Sequence, residues 1–109
     1  MPPSPVLAGE ADVLKVDVLK RGTRTYKVVV TVRHADAGWS HFADKWDILG
    51  PDGKVLATRV LAHPHDDEQP FARALDDVRI PKGITDITVR AHDKKHGYGG
   101  RSLAASVPD

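Results

Sequence analysis

From residue 12 onward, apolar and polar residues alternate in short runs separated by turn-forming residues. A period of two predicts strands rather than helices. Leu14, Val16 and Val18 alternate with Lys15 and Asp17 in a first strand, and residues 20–24 turn the chain. Tyr26, Val28, Val30 and Val32 then alternate with Lys27, Thr31 and Arg33, the plainest strand in the sequence. Residues 34–45 interrupt the pattern, and Trp46 and Ile48 begin a third strand that runs to Leu49. Gly50-Pro51-Asp52-Gly53-Lys54 predicts a tight hairpin, because Asp-Gly supplies the positive-φ positions such turns need. A fourth strand covers residues 55–62, followed by a loop at 63–70 bracketed by prolines. Residues 71–80 read two ways. The stretch 71–75 fits one helical turn, whereas Phe71, Arg73, Leu75, Val78 and Ile80 suit an edge strand. After a turn at 81–83, Ile87, Val89 and Ala91 mark a sixth strand, and Leu103, Ala105 and Val107 a seventh.

Short strands at regular spacing predict an all-β chain: a single seven-stranded antiparallel β-sandwich of immunoglobulin or fibronectin-III type over residues 12–109. Trp46 stands on the strand where such sandwiches bury a tryptophan, and Phe71 is in phase with the core. Residues 1–11 are Pro-rich and unpatterned, as a disordered lead-in would be. They lack a basic start and an apolar stretch, so no intact signal peptide is read there, although Val6-Leu7-Ala8 resembles the end of one.

Composition narrows the chemistry. The chain has 109 residues, 16 Lys+Arg, 15 Asp+Glu and a formal charge of +1, which gives no general pull toward nucleic acid or an anionic membrane. Its basic residues are spread over strand faces, so no nucleic-acid groove is expected. No apolar run approaches the ~20 residues of a membrane-spanning helix. With no cysteine, thiolate metal sites, blue copper and thiol nucleophiles are excluded. Thirteen of the acids are Asp, which favours turns over helix, and there are six His.

The positions of the histidines sharpen the reading. In an antiparallel sandwich the connections alternate between two poles. The turns at 20–24, 50–54 and 81–83 are short and hold no His. All six His lie in or beside the connections at 34–45, 63–70 and 92–101, together with Trp39, Phe42 and Tyr98. Strand parity therefore gathers the histidines at one pole, where long loops on a sandwich carry function. A helical 71–75 would break that parity.

Three readings of this pole stand side by side. As a metal site, His63 and His65 in a His-x-His pair, Glu68 and the pair His92 and His96 offer imidazole and carboxylate donors suited to zinc or copper. As a structural device, each His bonds a loop carbonyl or a nearby carboxylate, with His34 beside Asp36 and His92 beside Asp93. As a recognition surface, Trp39, His41, Phe42 and Tyr98 form a patch for a protein or small-ligand partner. A non-enzymatic binding module is the leading reading. The alternative is a metal-dependent enzyme with Glu68 as general base, although no nucleophile elbow or triad spacing is present.

The segments His63-Pro64-His65 through Glu68-Gln69-Pro70-Phe71, then Val89-Arg90-Ala91-His92-Asp93 and His96-Gly97-Tyr98-Gly99-Gly100, carry a resemblance. Together with Gly38-Trp39 and Ala43-Asp44-Lys45-Trp46, they make nearly all of the chain from Asp12 onward similar to a family of small, mostly uncharacterised bacterial β-sandwich proteins that are often exported. The resemblance implies a sandwich fold and a periplasmic or secreted setting, without a substrate. More distantly, the architecture resembles periplasmic copper-carrier sandwiches, whose Met-rich ligands have no counterpart here.

Overall fold

The computed structural model describes residues 11–34, 43–61, 69–94 and 97–108. Seven strands follow one another: β1 (Asp12–Gly22), β2 (Thr25–Arg33), β3 (Ala43–Leu49), β4 (Val55–Val60), β5 (Phe71–Arg79), β6 (Asp86–Asp93) and β7 (Leu103–Ser106). They form a three-stranded sheet in the order β1-β2-β5 and a four-stranded sheet in the order β4-β3-β6-β7. Every neighbouring pair is antiparallel. No helix occurs among the described residues, so none is long and apolar enough to cross a membrane.

Period-two alternation places the core between the sheets. Tyr26, Val28, Val30 and Val32 of β2 are fully buried, as are Trp46 and Ile48 of β3 and Val89 of β6. Burying each such side chain contributes roughly 1.5–3 kcal/mol, which makes this double row the main stabilising term. The core begins one residue before the expected boundary, since Ala11 is buried too.

The ambiguous segment at 71–75 is strand. Phe71, Arg73 and Leu75 pair with Val32, Val30 and Val28 of β2, so cross-strand bonding overrides any local helical tendency. As an edge strand β5 also accommodates a register shift: Val78 pairs with Tyr26, whereas Leu75 pairs with Val28. The extra residue is absorbed where Asp77 adopts φ 55°, a left-handed conformation that Asp tolerates better than most side chains.

The first strand corrects the sequence pattern. Leu14 was expected inward with Val16 and Val18, but Val13 is the buried residue and Leu14 is 36% exposed. A register shift between Val13 and Lys15 reverses the phase at that point.

The two ends of the sandwich differ. At one, the Arg24 guanidinium donates to the Ile80 and Pro81 carbonyls, and the Tyr26 hydroxyl donates to the Pro108 carbonyl at 2.8 Å. The other is where the strands flanking the three long connections meet.

Candidate binding site at the loop pole

Backbone and side-chain bonds draw the strand ends at this pole together. The Leu61 amide donates to the Asp44 carbonyl at 2.8 Å, linking the end of β4 to the start of β3. The Val13 amide donates to the Arg101 carbonyl at 2.8 Å, and the Arg101 amide to Asp12 Oδ1 at 2.8 Å, linking β1 to the β6–β7 connection. Gly100 sits so close to this crossing that a Cβ there would lie 1.9 Å from the Ala11 carbonyl oxygen. The His34 amide donates to Gln69 Oε1 at 2.9 Å, which ties the end of β2 to the segment before β5.

His34 and His92, two residues that look alike in the sequence, have different surroundings. The His34 side chain is fully buried between the sheets, with Nε2 3.7 Å from Oδ2 of the equally buried Asp93. His92 faces outward, and its Nδ1 lies 2.6 Å from Asp44 Oδ1. The expected partnership of His92 with Asp93 is therefore wrong. Consecutive strand residues point to opposite faces, so Asp93 turns inward to His34 while His92 turns outward. Asp36, the sequence neighbour expected beside His34, lies outside the described residues.

The outward face around His92 holds a connected polar cluster. Asp47 is 2% exposed and accepts three bonds: from the Thr58 hydroxyl at 2.7 Å, the Tyr98 hydroxyl at 2.7 Å and Arg90 Nε at 3.2 Å. Register explains the row, because Asp47 pairs with Thr58 on β4 and with Arg90 on β6. Burial alone would raise the Asp47 carboxyl. The bonds from Thr58, Tyr98 and Arg90, helped by the charge of Lys45, outweigh it and hold that carboxyl below its ordinary value.

Tyr98 lies across this face. The Arg90 guanidinium sits 3.9 Å from its ring centroid, Lys45 Nζ 5.7 Å from it, and the His92 ring meets it edge-on at 4.8 Å. The Tyr98 oxygen beside Lys45 raises the Lys45 ammonium above its ordinary value; desolvation opposes this, and the carboxylates of Asp47 and Asp44 add smaller upward contributions. Tyr98 stays 37% exposed while four side chains fix it.

Of the residues singled out from the sequence, the structure brings His92 and Tyr98 together. His63, His65, Glu68, His96, Trp39, His41 and Phe42 lie outside the described residues. Among the described residues no group of three or more His, Asp or Glu is placed to hold a metal ion. Sequence reasoning assigned no site role to Asp44, Lys45, Asp47 or Arg90, although Asp44, Lys45 and Arg90 lie in the segments that carry the resemblance. Their signal was present in part, since Lys45 and Asp47 occupy the outward phase of β3 and Arg90 lies two residues before His92 on the same face.

Comparison with known proteins adds one relative. The chain is 37% identical over 98 residues to a protein of the halophilic archaeon Halomicrobium mukohataei named "Putative lipoprotein". That match takes in 90% of this chain and 48% of the relative, so the chain spans about half the length of the curated relative it matches. No protein-family model and no solved structure matches the chain.

Proposed function

We propose that this chain is a non-enzymatic binding module of an exported protein, with its binding surface at the loop pole. Tyr98 is the observation that carries the reading. It is 37% exposed, yet its hydroxyl is bound by Asp47 and its ring is held by Arg90 and His92. An aromatic already fixed at the surface loses little freedom when a partner covers it, which is how aromatic anchors act at interfaces. Trp39, His41 and Phe42 of the β2–β3 connection complete the surface in this reading, and the partner is a protein or a small ligand. The relative's name as a lipoprotein supports export to the periplasm or cell exterior.

The strand order supports a fibronectin-III-like assignment within the sandwiches. An immunoglobulin constant domain pairs its first, second, fifth and fourth strands in one sheet. Here the fourth strand instead joins the third, sixth and seventh. Photo-crosslinking in the cell of origin tests the binding surface, with the reactive side chain placed at position 99 or, at the opposite pole, at position 54. Partner adducts formed from position 99 and absent from position 54 are expected. Equal labelling from both, or labelling from position 54 alone, would move the surface elsewhere.

A second reading, a zinc or copper site formed by His63, His65, His92, His96 and Glu68, is favoured by one observation. His92 Nδ1 is held by Asp44 at 2.6 Å, the outer-shell arrangement that metal-binding imidazoles commonly have. Titrating zinc and copper(II) while following backbone amides should shift His92 and Tyr98 and leave residues 50–54 unmoved. A closed four-ligand shell would argue against the enzymatic alternative, which needs an open coordination position.

A further inference from the structure

We infer that Lys45 and Arg90, which both reach the Tyr98 ring on the outer face of the four-stranded sheet, clamp a carboxylate carried by an acidic peptide segment of the partner. The inference deepens the binding-surface reading above and rests on it.

Register builds the face. Lys45 pairs with Val60 on β4 and His92 on β6, and Asp47 pairs with Thr58 and Arg90, so these side chains stand in two adjacent outward rows. Lys45 and Arg90 are diagonal neighbours across an antiparallel pair, roughly 7–8 Å apart. Lys45 Nζ lies 5.7 Å and the Arg90 guanidinium 3.9 Å from the Tyr98 ring centroid. Asp44 joins the same face through a β-bulge. Ala43 is fully buried and pairs with Asp93, while Lys45 pairs with His92, so two steps on β3 match one on β6 and Asp44 is the extra residue. Bulges re-aim a side chain without ending the sheet. This one aims the Asp44 carboxylate at His92 Nδ1, 2.6 Å away.

The two acids and two cations of this face balance in number but lie in different layers. The Asp47 side chain is 3% exposed and is occupied by Thr58, Tyr98 and Arg90 Nε, while Asp44 is engaged by His92. The Arg90 side chain is 34% exposed, and its Nη donors meet no acceptor among the described residues. Lys45 Nζ likewise forms no ion pair among the described residues. Carboxylates occupied beneath and cationic donors open above make the outward side locally positive. Paired Nη donors match a planar carboxylate, and Lys45 adds a point charge beside them. A doubly charged phosphate would be repelled more strongly by Asp44 and Asp47.

Exposed ion pairs contribute little singly, so a free carboxylate would bind weakly here. The adjoining surface offers more. Val60, opposite Lys45 on the edge strand β4, is 62% exposed, and Tyr98 is 37% exposed. An extended peptide with an acidic residue and an apolar one two positions on presents both to this face.

Titrating the full chain with the end-blocked peptide Glu-Ser-Val-Ser-Glu, followed through backbone amides, tests the clamp. Shifts at Lys45, Arg90 and Tyr98 are expected, weakening as salt rises. Replacing Glu by Gln in the peptide should weaken binding at least about 5-fold, as should Lys45→Glu, with Lys45→Gln between it and the parent. Lys54→Glu, at the opposite pole, should leave binding unchanged. Unchanged amide contacts between β3 and β6 establish that each variant is folded. Equal binding of the Glu and Gln peptides at Tyr98 overturns the carboxylate clamp and leaves the binding surface standing, as does equal binding by Lys45→Glu. Acetate or inorganic phosphate giving the same shifts at the same concentrations overturns the peptide in favour of a small-anion site. Absence of binding by the Glu peptide, or shifts centred on residues 50–54, overturns the inference, and crosslinking from position 99 then decides the surface independently.

Discussion

Asp47 shows how one side chain carries more than its sequence context reveals. Its outward phase on β3 is legible, because it falls between the apolar Trp46 and Ile48. Its three donors are not, since Thr58, Arg90 and Tyr98 stand 11, 43 and 51 residues away and only strand register brings them to it. Asp47→Asn removes the charge that orders these donors and should lower stability by about 1–3 kcal/mol. The pH dependence has a definite sign. The folded-state carboxyl titrates below its ordinary value, so its contribution is complete above the unfolded value of ~3.9 and is lost as pH falls through the lower folded value. Urea unfolding of parent and variant should therefore differ by a constant amount between about pH 7 and 5, and the gap should close below about pH 4. A gap that persists undiminished in strong acid would assign the loss to shape rather than charge.

Among the elements, the β6–β7 connection joins the candidate site to the sheet interface. Its Gly-rich sequence was readable as a loop, but the reason for Gly100 was not. The backbone of Ala11 lies where a Cβ would go, 1.9 Å away, and backbone cannot step aside as a flexible side chain does. Gly100→Ala should push this connection off β1 and cost at least about 1–3 kcal/mol, as overpacking commonly does. Hydrogen exchange supplies the local readout: the Val13 amide, which donates to Arg101 at 2.8 Å, should lose protection before the centre of β2 does. Uniform loss across both sheets would indicate a global effect instead. The strand β5 illustrates a related limit. Its apolar spacing fitted a helical turn or a strand equally, and the decision came from β2, whose unpaired edge it completes.

At the scale of the whole molecule, the contacts that close the sandwich join distant parts of the chain. Strand β2 pairs with β5, β3 with β6, and the start of β1 meets the connection that leads into β7. Loop closure must precede these pairings, so folding should take milliseconds to seconds, as in other sandwiches dominated by non-local pairing. Stopped-flow refolding monitored by Trp fluorescence tests this through Trp46, which is buried only when both sheets are present. Completion within microseconds would show that local structure forms the core.

Six of the seven strands, and most of the alternation that fills the core, were legible in the sequence itself, because period-two patterning and the Asp52-Gly53 and Pro81-Lys82-Gly83 turns act over a few residues. Parity also predicted a shared pole for the strand ends that flank the long connections, and the bonds linking the ends of β1, β2, β3, β4 and β6 with Gln69 and Arg101 draw those described flanks together. Tertiary structure alone decided which histidine meets which carboxylate. His34 and His92 each have an acidic residue nearby in the chain, yet a strand turns neighbours to opposite faces, and a bulge at Asp44 then turns one carboxylate back out. That pairing depends on register across β3 and β6, a property of two segments packed together that neither carries alone.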